Sequence, residues 1–185
     1  MPILVNFAHG PAMSLRQEWE HWLVGRGEDP SREGLAETPG RVCGVLDELV
    51  AAGDARPADF LQKTFAATGY DDWVRLDHIP FGSLCEHHLL PFHGEMAVAY
   101  WPTGGRVVGL SKLVRLVDLL SRRLSLQERF TVEVAEAIFA NLRARAVAVR
   151  VEAEHQCMAL RGVRVAGLRT TTWHRCGDAP RWPHL

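Results

Sequence analysis

The sequence predicts an α+β protein, a helical N-terminal segment followed by an antiparallel sheet with two helices laid on one face. Apolar residues recur at helical spacing as far as about residue 52, alternating β-rich stretches begin near Asp71, and two further helical patterns sit between strand patterns in the second half. The expected division is 1–68 for the helical segment and 69–185 for the sheet domain.

Ser14 to Gly25 reads as a helix with a serine cap and a terminal glycine. Thr38 is placed to cap a second helix, with Pro39 at its first position and Val42, Val45, Leu46 and Leu49 on one stripe as far as about Ala52. Gly53 to Ala58 reads as a linker. Trp73 to Phe81 alternates imperfectly, as a strand. Glu95 to Trp101, the turn Pro102-Thr-Gly-Gly105 and Arg106 to Leu110 predict an antiparallel hairpin. A helix from Ser111 carries Leu113, Leu116, Val117 and Leu120 on one face; another runs from about Ser125 to Arg143, and Val147 to Glu154 is a strand.

Composition narrows the class. The 185 residues suit one ordinary domain with an appendage, and 47% hydrophobic residues supply a core. No run reaches the ~20 apolar residues of a membrane span, and the Met1-Pro-Ile-Leu-Val-Asn start lacks the basic flank of a secretory leader, so a cytoplasmic location is expected. Four cysteines, two of them in metal-type clusters, fit a reducing compartment better than a disulfide framework. A net charge of -1 argues against a nucleic-acid-binding surface. Of 21 basic residues only Lys63 and Lys112 are lysines, which singles out Lys112 as a compact point charge suited to phosphate.

Two clusters carry the chemistry: Cys85-Glu-His-His88 and His155-Gln-Cys157. Residues three apart in a helical turn share a face, as do residues two apart on a strand, so each cluster converges its side chains. Cys85, His88 and Cys157 make the three-ligand set of a catalytic zinc site, which keeps its fourth position for water. Cys43 reads as helix packing and Cys176 as an incidental tail thiol.

Five segments then resemble the GTP cyclohydrolase I family, in order and over nearly the whole chain: Glu33 to Arg41 (EGLAETPGR), Ser83 to Phe92 (SLCEHHLLPF), Gly109 to Arg115 (GLSKLVR), Gln127 to Arg129 (QER) and His155 to Gly162 (HQCMALRG). The resemblance implies a tunnelling-fold catalytic domain that binds Zn2+ through Cys85, His88 and Cys157. It implies opening of the guanine imidazole ring of GTP at C8, release of formate and formation of 7,8-dihydroneopterin triphosphate. His87 and His155 are then the proton-transfer groups, and Ser111 assists the sugar rearrangement. Gln127 and Glu128 lie against the guanine edge. Lys112, Arg115, Arg161 and Arg41 hold the triphosphate, Arg41 from a neighbouring subunit of a homo-oligomer built from pentameric rings, as a decamer.

The chain also departs from the family pattern. Gly44 stands where a lysine is usual, Trp173 replaces a small hydroxyl residue, Glu154 replaces a small or apolar one, and the chain is expected to turn at Thr172 to Gly177 instead of entering the usual closing segments. Two alternatives stay open on the sequence: a purine-nucleotide hydrolase of a secondary pathway that stops at a ring-opened formamidopyrimidine, and a non-catalytic zinc-bound homologue.

Overall fold

The computed structural model describes residues 14–53 and 55–185; the Met1 to Asn6 start and Asp54 of the expected linker lie outside the described residues. The described residues form two compact units, one ending at Glu48 and the other spanning Leu49–Leu185.

In the first unit, α1 (Leu15–Gly25) begins on a capping box in which Ser14 and Gln17 satisfy each other's backbone N–H, and Arg26 caps its C-terminus. The second helix, α2 (Thr38–Leu49), ends earlier than expected, and Thr38 does not cap it. Its hydroxyl donates backwards to Gly34 O at 3.4 Å, because the preceding residues already form a turn that presents that carbonyl.

The second unit opens with α3 (Pro57–Leu61), where a linker was expected to continue. Pro57 has the fixed φ that a first helical turn accepts, and Leu61 is fully buried. Together with β1 (Thr64–Ala66), α3 makes its contacts inside this unit. The sheet is built from β2 (Val74–Cys85), β3 (Pro91–Trp101), β5 (Leu124–Ser125), β6 (Ala146–His155) and β7 (Arg169–Gly177), in the order β5-β2-β3-β6-β7. All neighbours are antiparallel except the short β5, which runs parallel to β2.

The expected hairpin does not form. Beyond β3 the chain passes Pro102 and the left-handed pair Gly104 and Gly105, and β4 (Arg106–Val108) pairs with β1 in a separate two-stranded sheet. Tyr100 reaches across, its hydroxyl accepting from Val108 N–H at 3.0 Å. The imperfect alternation of β2 also has a structural cause. A bulge between Leu76 and Ile79, with His78 at φ 55°, shifts the phase by one residue, so that Ile79, Phe81 and Cys85 all turn into the core. That shift carries the strand beyond Phe81 to Cys85, the first residue of the metal-type cluster.

Helices α4 (Leu110–Ser121) and α5 (Gln127–Leu142) close this core. Leu113, Leu116, Val117 and Leu120 of α4 join Phe130, Val134 and Ile138 of α5 over Phe92, Met96, Val98, Val147, Val149 and Val151 of the sheet. Phe81 centres the contact, its ring 5.0 Å from Phe130 and 5.9 Å from Phe92. At the far edge β7 continues through Thr172 to Gly177, where a turn was expected: alternate residues face the core, and Cys176 packs there instead of lying free in a tail. Burial pushes the Cys176 thiol up.

Candidate active site

The site is assembled at the end of the sheet where β2 stops, β3 begins and β6 runs out. Cys85 N–H donates to Leu90 O at 3.0 Å, while Cys85 O accepts from Leu89 N–H at 2.9 Å, folding residues 86–89 into a tight turn with Leu89 at φ 50°. Glu86 anchors that turn to the start of α5. Its backbone N–H donates to Ser125 O at 3.1 Å, and its carboxylate takes both arms of the Arg129 guanidinium at 2.8 and 3.0 Å. Such a fork-to-fork pair fixes orientation as well as distance. Arg129 of the QER segment thus holds the cluster turn against the helix that carries Gln127 and Glu128.

From the other side, β6 ends at His155 and the four-residue α6 (Gln156–Ala159) lifts Cys157 towards the turn. Cys157 is therefore presented from a helical turn and not from the strand. One ligand atom each of Cys85, His88 and Cys157 lies within 4.8 Å of the others, a group that can hold a metal ion. Cys85 is buried, Cys157 half-buried and His88 exposed, so the cluster opens to solvent on the histidine side. Burial first, and then the nearby Cys85, push the Cys157 thiol up. Arg161 Nη1 donates to His88 Nε2 at 3.0 Å, which puts this guanidinium beside the cluster. His87 is exposed, its ring edge-on to His88 with centroids 6.2 Å apart.

His155 is set by its strand register: it pairs directly with Phe92 of β3, and the two rings stack at 5.0 Å and 6°. Burial pushes its pKa below 6.5, opposed by the negative charge of Glu128. Its Nε2 lies 2.8 Å from Gln127 Oε1. Gln127 itself is only 1% exposed. Its Nε2 faces Thr170 O at 2.9 Å, Thr172 Oγ1 at 3.2 Å and Val151 O at 3.3 Å, so both amide hydrogens are engaged inside the protein. Gln127, expected on a guanine edge, turns its side chain into the sheet, where these three acceptors engage its amide. Glu128, the next residue, is exposed at the first turn of α5.

The remaining candidates stand apart. Ser111 and Arg115 are exposed on α4 and Lys112 is half-buried there; none has a hydrogen bond or ion pair to the cluster among the described residues. Arg41 belongs to the first unit, exposed and paired with Glu37 at 2.5 Å. Of the departures, Glu154 accepts from Gly167 N–H at 3.0 Å and so closes the loop that follows α6. Trp173 is half-exposed with the Arg150 guanidinium 5.4 Å from its ring, away from the cluster. Gly44 is exposed, with open space where a side chain would stand.

Fold and site together define an α+β domain with a three-ligand metal-type cluster beside two histidines and an acidic helix start. The family model of GTP cyclohydrolase I matches residues 15–181, and the chain belongs to that family, whose tunnelling fold the sheet and its helix pair display. It is 48% identical over 146 residues to "GTP cyclohydrolase 1" of Clostridioides difficile (strain 630), covering 79% of this chain and 77% of the relative. To "GTP cyclohydrolase 1" of Corynebacterium glutamicum (strain R) it is 49% identical over 151 residues, 81% of this chain and 76% of that one. The Brucella suis protein of the same name is 48% identical over 157 residues, 84% and 73% of the two chains.

Proposed function

We propose that this protein is a zinc-dependent GTP cyclohydrolase I, a hydrolase that opens the guanine imidazole ring of GTP at C8, releases formate and yields 7,8-dihydroneopterin triphosphate. The observation that carries the reading is the convergence of Cys85, His88 and Cys157 beside His155 in a chain of this family. Two thiolates and an imidazole are a donor set that suits Zn2+, and three protein ligands are the number a catalytic zinc keeps. When bound, the ion supplies an activated water at neutral pH.

The chain's own residues do the rest. His87, exposed beside a ligand but outside the cluster, delivers a proton to the ring nitrogen as the C8–N9 bond opens. Glu128 accepts hydrogen bonds from N1–H and the exocyclic amine, a pair of donors that adenine lacks. Lys112, Arg115 and Arg161 carry the triphosphate, with Arg41 reaching in from a neighbouring subunit, and Ser111 helps the ribose rearrange. Arg161 is supported by its place beside His88, and Lys112 by its place on the first turn of α4. The protein works as a homo-oligomer of pentameric rings paired into a decamer. An edge strand of nine residues, β7, and the exposed Trp22 of α1 are surfaces suited to subunit contacts. Free thiols at the cluster suit the reducing cytoplasm.

Incubation with GTP tests the reading. Pterin fluorescence with formate release is the expected result. An ultraviolet change without a pterin identifies an enzyme that stops at the formamidopyrimidine, and no change identifies a non-catalytic homologue.

A further inference from the structure

We propose that Gln127 is a positioning residue, which locks His155 in one tautomer and so decides which ring nitrogen meets the substrate. This deepens the hydrolase reading, on which its kinetic test rests.

The polarity of the network follows from its members. Val151 O and Thr170 O are carbonyl oxygens and only accept, so the Gln127 atom facing them at 3.3 and 2.9 Å is the NH2 group. The amide cannot flip without placing its oxygen against two carbonyls. Oε1 is therefore the atom that faces His155, and it needs a donor: Nε2 of His155, 2.8 Å away, carries the hydrogen. The hydroxyls agree. Thr131 Oγ1 donates to Gln127 O at 2.7 Å, so across the 2.6 Å contact between Thr131 and Thr172 the donor is Thr172. With its hydrogen spent, Thr172 Oγ1 accepts from Gln127 Nε2 at 3.2 Å. Every hydrogen is thus assigned: His155 donates to Gln127, Gln127 to β6 and β7, Thr172 to Thr131, and Thr131 back to the Gln127 carbonyl.

With Nε2–H held by Gln127 and the ring clamped on Phe92, the neutral imidazole keeps Nδ1 bare. Nδ1 is thus the ring atom that His155 presents to the substrate. His87, exposed and outside this network, keeps the donor role.

Nitrogen-15 NMR of histidine-labelled protein, with His155 assigned by the signal lost in His155→Ala, reads the tautomer directly. The parent should show hydrogen on Nε2 and none on Nδ1, and Gln127→Ala should show a mixture. In GTP turnover, Gln127→Ala should lose roughly 10²–10⁴-fold in kcat, with KM and the preference for GTP over ITP within about twofold of the parent on that scale. Gln127→Glu, which when neutral can repeat both the acceptor and the donor, should restore the single tautomer and part of kcat. A parent signal with hydrogen on Nδ1 overturns the proposal. So does a Gln127→Ala protein that keeps its kcat, or one that loses the GTP preference in place of kcat, the mark of a residue touching the base. If the parent turns over no GTP the hydrolase reading fails, and the tautomer spectra still decide the role of Gln127.

Discussion

At the scale of single residues, the site depends on groups whose roles separate cleanly in measurement. Cys157 is one of three ligands from a helical turn of only four residues, so Cys157→Ser should reduce zinc from about one ion per chain to well below it; full occupancy by metal analysis would contradict the ligand set. His87→Ala should keep zinc and GTP binding but lose roughly 10²–10⁴-fold in turnover, as removal of a general acid does. A different histidine reports on pH. His78 sits in the β2 bulge with its Nδ1 2.6 Å from Glu95 Oε2, and that hydrogen bond, then the carboxylate charge, raise its pKa above 6.5. The folded value lies above the unfolded one, so the pair's contribution is complete at pH below about 6.5 and is lost as pH rises through the folded value. An NMR titration should give His78 a midpoint above 6.5, and Glu95→Gln should bring it back towards that value.

Between elements, the β3–β6 ladder makes a close approach at Gly94. A Cβ there would stand 2.0 Å from Glu152 O and 2.8 Å from Ala153 Cα, so the two backbones approach in a way that only glycine permits. Gly94→Ala should cost about 1–3 kcal/mol, the range of an overpacked interior, read as a lower urea midpoint. An unchanged midpoint would mean that the ladder yields locally. This matters for the site because β3 and β6 carry Phe92 and His155 in register, two residues along from that contact. The start of α5 is tied to the cluster by Arg129 and Glu86, and the end of β2 by its pairing of Cys85 with Ser125.

Across the sheet domain, residues 178–185 fold back onto the start of β2. Trp73 Nε1 donates to Arg181 O at 2.9 Å, its ring lies 5.7 Å from Trp182, and Arg75 and Arg181 bond His184 O and Asp72. Trp182→Ala should destabilise the domain by about 1 kcal/mol, the usual worth of an aromatic pair, and redden tryptophan emission as Trp73 meets water, while leaving zinc content unchanged. Light scattering should find a homo-oligomer; a fully active monomer would defeat the shared-site reading of Arg41.

The sequence by itself determined the class of fold, the order of most elements and the metal-type cluster, because these are written in local periodicity and in short motifs whose side chains must converge. It also placed the leucine and valine stripe of α4 in the core, where all four residues lie. It misread what depends on partners distant in the chain. The hairpin from Glu95 failed because strand pairing is chosen by the whole sheet, and β6 outcompeted β4 for the free edge of β3. The family resemblance set Gln127 against the guanine edge without saying what its side chain bonds inside the protein, and carbonyls on β6 and β7, far along the chain, draw its amide inward. Only the tertiary structure decided that direction, since a buried donor goes where unpaired acceptors are, and no local pattern records where those acceptors will come to lie.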